Sequence, residues 1–152
     1  MFANGRADLA HVKRVLLDNP KLDSQDDTDY PEESALAVVL ATHPLTPERV
    51  LTELTKSPFY LVREKLAVRA CLPPDVLKIL AEDPVRHVRQ YLASNPESGA
   101  AVLDGLAHDT ESAVRFKVAI NPATPVSALT ALEVDSVEVI RLAAASHTGR
   151  QG

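Results

Sequence analysis

Tryptophan is absent from these 152 residues, and there are only three tyrosines, three phenylalanines, one methionine and one cysteine. With aromatics at 4 %, the hydrophobic content of 45 % has to come from Leu, Val, Ile and Ala. A core of that kind, with only five glycines, favours helices. The lone Cys71 excludes an internal disulfide and any CxxC metal site. There is no G-x-G-x-x-G, P-loop or G-x-S-x-G, so the usual phosphate-cradling and acyl-transfer signatures are missing. No apolar run reaches the ~18 residues of a membrane span. The opening MFANGRADLA has no apolar signal core. Positive charge is short as well: 16 Lys and Arg against 21 Asp and Glu leave a net charge of −5, which argues against a general nucleic-acid binder. The expectation is a soluble cytoplasmic chain forming one domain over 1–152.

What the chain does have is proline, 11 of them, and internal repetition. Shifting the sequence by 26 places VLTEL (50–54) on VLKIL (76–80), VLDGL (102–106) and ALTAL (128–132). Arg63, Arg89, Arg115 and Arg141 then share one slot, each preceded by Val or Ile. Asp83, Asp109 and Asp135 share another, with Ser57 in the first copy, and Asn95 aligns with Asn121, each before a proline. A register held through four copies is a strong repeat signal. The repeats are 43–68, 69–94, 95–120 and 121–146, followed by a tail at 147–152.

Each unit reads as two short helices. The first opens after a signal such as THPLTPERV or INPATPVSA, where Thr46 and Thr124 are expected as N-caps with Pro47 and Pro125 at the first helical position. It buries a stripe such as Val76, Leu77 and Leu80. The second carries the Val-Arg pair, buries Val88 with Leu92, and ends where the next Asn-Pro forbids continuation. Helices this short do not persist alone in water, so stacking on neighbours must supply their stability. Residues 9–42 read as a degenerate first unit. Between Pro20 and Leu36 lie 15 residues where Pro58 and Val62 enclose three, so 12 are inserted. That insertion, within 21–34, holds Asp23, Asp26, Asp27, Asp29, Glu32 and Glu33.

The phrase NP…TP..(V/L)L..LA.D….VR…A resembles the leucine-rich repeat variant and, more broadly, HEAT-like helical repeats, well over 43–147 and weakly over 9–42. The resemblance implies an all-α fold: a right-handed α-solenoid of paired short helices with a 26-residue repeat. The variant family's iron–sulfur module needs clustered cysteines, which this chain lacks, so no cofactor is carried over. HEAT-like relatives include scaffolds, DNA glycosylases and bilin lyases, so the fold alone fixes no function.

The arginine column could cradle a phosphate or an acidic peptide. The stronger reading is structural: Arg63, Arg89, Arg115 and Arg141 with Asp83, Asp109 and Asp135 form a hydrogen-bonded ladder between units, the Arg slot lying six residues after the Asp slot. The acidic insertion has oxygen ligands in plenty but not the spacing of an EF-hand loop, so no metal is assigned and a solvated loop is expected. His11, His43, His87, His108 and His147 form no H-x-x-x-H pair, which leaves zinc without a site. Cys71 reads as an inert small residue in a turn slot. No catalytic or cofactor-binding residue is assigned. On the second helices, a phase that buries the Val62 and Leu66 slots turns others outward: Tyr60, Glu64, Arg86, His87, Gln90, Phe116, Val139 and Leu142. This face is polar early and apolar late, which suits partner binding on a concave side near the C-terminus. The expected function is a non-enzymatic protein–protein interaction or scaffold module, with another protein or a second copy as partner and no nucleic acid or membrane. The alternatives are a bilin-lyase-like or DNA-glycosylase-like enzyme and a metal-binding acidic loop.

Overall fold

The computed structural model describes residues 32–149. Among them all regular structure is helical: α1 (Glu32–Thr42), α2 (Glu48–Leu54), α3 (Tyr60–Ala67), α4 (Pro74–Ala81), α5 (Arg86–Ser94), a 3₁₀ turn (Pro96–Ser98), α6 (Ala100–Leu106), α7 (Ser112–Ile120), α8 (Val126–Leu132) and α9 (Glu138–Thr148). By backbone proximity the chain divides into two compact units, 1–66 and 67–152.

In the first unit α1 packs on α2. Val50, Leu51 and Leu54 of α2 are buried, as are Val62 and Leu66 of α3. The acidic insertion lies outside the described residues as far as 31. Its last part is not loop: Glu32, Glu33 and Ser34 open α1. In α1 the fully buried residues are Ala37 and Ala41, whereas Leu36 and Leu40 are half-buried.

The second unit has a simple arrangement. Helices α5, α7 and α9 lie side by side, and so do α4, α6 and α8, with each helix also touching its sequence neighbours. The apolar residues between the two rows are, from one, Leu80, Leu106 and Leu132 at 26-residue spacing with Val76, Leu103 and Leu129 one turn before them, and, from the other, Val88 and Leu92, Val114 and Val118, Ile140 and Ala144, also at 26-residue spacing. Spacings of i, i+3 or i, i+4 keep each pair on one stripe. Ala93 and Ala119 are fully buried in α5 and α7, which lets neighbouring second helices approach closely.

Two expectations about helix starts are corrected. Helices α2 and α8 begin one residue later than expected, at Glu48 and Val126, so Pro47 and Pro125 are the capping residues, in extended conformation and without a side-chain cap. Thr46 and Thr124 are not N-caps. Their hydroxyls donate backwards, to Leu40 O and Val118 O, at 2.6 Å in both cases. Ser98 does the same to Leu92 O at 2.5 Å. These carbonyls sit in the last turn of a helix, where Leu92 O and Val118 O accept only the cap N–H of Asn95 and Asn121, so the hydroxyl finishes the preceding helix instead of starting the next.

Helices α5 and α7 stop at Asn95 and Asn121, whose extended backbones (ψ 117° and 125°) are what a following proline imposes. Thr148 stands in that proline slot at the end of α9, and α9 runs on through it. Cys71 sits in a turn with φ 56°, the only non-glycine with positive φ among the described residues.

Candidate functional site

The arginine column is wired across the helix pairs. Arg89 donates from Nε to Asp109 Oδ2 at 2.7 Å and from Nη2 to Asp109 Oδ1 at 3.2 Å. Arg115 does the same to Asp135, at 2.6 and 3.2 Å. Each carboxylate partner lies 20 residues after its arginine. The aspartate six residues before contributes its main-chain carbonyl: Nη1 of Arg89, Arg115 and Arg141 reaches Asp83 O, Asp109 O and Asp135 O at 2.6, 2.8 and 2.7 Å. Arg63, buried, likewise reaches Ser57 O at 2.6 Å. The expected six-residue relation is thus present through the backbone, and the ion pair runs forward to the next pair of helices.

The pairs are mostly shielded. Arg89 and Asp109 side chains keep 13 % and 7 % of their exposure, and Arg115 and Asp135 15 % and 6 %. The hydrogen bond to Arg115 holds the Asp135 carboxyl below the ordinary carboxylate range, against burial, which pushes the other way. The bonds to Asp109 and Asp135 hold both guanidinium groups above their ordinary value. With both forks occupied, Arg89 and Arg115 have no free edge for a phosphate.

A second polar column was visible only as an alignment. Asn95 donates through Nδ2 to Ala67 O and Arg69 O, both at 2.9 Å, and accepts from Glu97 N–H at 2.9 Å. Asn121 repeats this 26 residues on, to Ala93 O at 2.7 Å and Asn95 O at 3.1 Å, accepting from Ala123 N–H. His147, in the same slot, places Nδ1 3.3 Å from Ala119 O. The signal that could have exposed the role was present: the same amide residue, twice, at one spacing, beside a core.

The residues expected to face a partner divide between the units. Tyr60 and Glu64 belong to the first, Tyr60 exposed and Glu64 half-buried. In the second, Arg86 is exposed and stands 3.9 Å from Glu111, while His87 and Gln90 join Tyr91, Ser94 and Lys117 around a hollow of about 230 Å³ between α5 and α7. Towards the C-terminus, Val139 and Leu142 of α9 are 55 % and 62 % exposed. Phe116 of α7 is half-buried rather than outward, because the next helix pair covers its slot, which lies open only at Leu142. Ile120, one turn further along α7, is 51 % exposed and was not anticipated.

A concavity of about 590 Å³ lies between α4 and α6, on the other row. It exists because one unit departs from the pattern. Gly99 stands where the other units have Pro47, Pro73 and Pro125, and its φ of 83° with ψ 152° is a conformation essentially confined to glycine. Gly105 replaces Glu53, Ile79 and Ala131, and a Cβ built there would meet nothing within 4 Å. With Ala81, Ala100 and Ala101 they line a small-residue trough edged by Lys78 and Glu82.

Among the described residues no group of three or more His, Cys, Asp or Glu side chains could hold a metal ion. Among them, too, no helix is long and apolar enough to cross a membrane. No family model, no curated protein and no solved structure matches this chain.

Proposed function

We propose that the chain is a non-enzymatic protein-interaction module, a right-handed α-solenoid of 26-residue helix pairs of the leucine-rich repeat variant or HEAT-like kind, whose second helices present the binding face. The observation that carries the reading is the apolar exposure on neighbouring α7 and α9, where Ile120, Val139 and Leu142 are each more than half exposed while the stripes between the rows are filled. Apolar side chains clustered on one face of a polar surface mark sites of association. The polar groups with the most demanding geometry, the Arg–Asp pairs and the asparagines, are engaged inside the fold and not turned towards a substrate. Cys71 is exposed and unpaired, as suits a reducing compartment, and the cytoplasm is the setting proposed.

The test is the double variant Val139→Glu with Leu142→Glu. It should melt like the wild type, since both side chains are already exposed, and should lose the partner that wild-type chain retains when immobilised in native extract. Equal retention of that partner by both proteins would sink the reading.

A second reading is favoured by the trough between α4 and α6. Its volume, about 590 Å³, falls among those of sites for small apolar ligands. Gly105→Leu would fill it, and unaltered binding of an environment-sensitive apolar dye by that variant would dismiss the trough as a ligand site.

A further inference from the structure

The ladder has an open rung. Arg141 is anchored as Arg89 and Arg115 are, through Nη1 to the carbonyl six residues before it at 2.7 Å. In the other two arginines that anchor fixes the guanidinium so that Nε and Nη2 meet two oxygens of one carboxylate. In Arg141, Nε and Nη2 have no partner among the described residues. The surface beside it is open as well. Ala93 and Ala119 are fully buried in α5 and α7, but their counterpart Ala145 in α9 is exposed. Leu142 is 62 % exposed, whereas Gln90 and Phe116 in its slot are half-buried. The α9 edge is therefore a further copy of the acceptor surface that is covered on α5 and α7.

We infer that the Arg141 fork is a binding site for an aspartate at the start of a helix in a separate protein chain. The aspartates that fill the two closed rungs define the occupant. Each has one oxygen already held by the N–H two residues on, Glu111 in one case and Val137 in the other, at 2.9 and 2.8 Å. That turn presents the two oxygens edge-on to the fork, the planar pairing in which arginine excels. Charge complementarity selects a carboxylate, and the turn selects one at a helix entrance.

The inference rests on the chain being an interaction module, but its test reads Arg141 and not Val139 or Leu142. Full-length chain is titrated with the blocked tetrapeptide Asp-Ser-Val-Glu, the sequence of 135–138, while the Arg141 Nε–H and Ala145 amide resonances are followed. Both should shift saturably while the Nε–H of Arg89 and Arg115 stays put. The peptide with Asn in place of Asp should bind about tenfold more weakly, the scale of one charged hydrogen bond. Arg141→Gln should abolish the Ala145 response while the Arg89 and Arg115 Nε–H resonances stay in place, showing the chain still folded. An unmoved Arg141, an equal response to the Asn peptide, or an equal response to inorganic phosphate would each overturn the assignment. Persistence of these shifts in the Val139→Glu, Leu142→Glu protein would separate this site from the apolar face.

Discussion

The two ends of the second-helix row in residues 67–149 use one device with opposite sense. At the start of α7 and α9 stand Asp109 and Asp135, and at the end of α5 and α7 stand Asn95 and Asn121. All four hold the N–H two residues on with a side-chain oxygen. What remains of each side chain faces the preceding helix pair. The asparagines donate there to two carbonyls. The aspartates accept there from an arginine. One end of the row is therefore tied by neutral bonds and the other by charged ones. The lesson is that Asn and Asp, though alike in shape, are not exchangeable here: an aspartate in the asparagine slot would aim a carboxylate at two carbonyl oxygens.

The sharpest way to break the comparison is Asn121→Asp. It keeps the turn and reverses the donor in a position 2 % exposed. It should cost about 3–5 kcal/mol, the scale of an uncompensated buried charge, and a denaturant melt at neutral pH would show it. Wild-type stability would mean that the amide donors contribute nothing.

The charged end should be less costly to cut. Arg115→Ala leaves Asp135 with its Val137 N–H but without the fork, and should lose about 2–3 kcal/mol in the same melt. Lys at 115 should recover only part of this, because it cannot span both oxygens.

Acid should distinguish the two ends. Asp135 titrates below its ordinary value of 3.8 in the folded chain. Its ion pair therefore stabilises fully above about pH 3.8 and is lost as pH falls through the lower folded value. Asp135→Asn should flatten the stability-against-pH curve in that window, while Asn121→Ala should leave its slope unchanged. The smallest effect belongs to the open rung: Arg141→Ala releases no carboxylate and loses only its bond to Asp135 O, about 1 kcal/mol.

Much of this was legible from spacing. The 26-residue register located the helices, the buried Val and Leu stripes and the Arg and Asp columns, because burial recurs wherever one helix pair covers another. The forward partner of each arginine was not legible. Sequence shows that Arg115 follows Asp109 by six, but only the packed helices bring Asp135 to its fork. Thr46 and Thr124 were misread because a hydroxyl before a helix suggests a cap, and nothing in the local sequence reveals that a carbonyl six residues back is nearer. The trough at Gly99 and Gly105 was open to a reader who asked where the repeat is broken rather than where it holds. The face at Val139 and Leu142 followed from helix phase. The half-burial of Phe116 did not, because phase gives direction and says nothing of what the neighbouring helix covers.

The span of the ties has a consequence for how this part of the chain assembles. The Arg–Asp and Asn–carbonyl bonds described between helix pairs join residues 20, 26 or 28 apart. Forming one of them closes a loop about as long as a single helix pair, and the entropy of closing loops rises only slowly with length. No step has to wait for remote stretches of residues 67–149 to find each other. Contacts this local belong with fast folding, in which any pair can form first and the next is added against a finished neighbour.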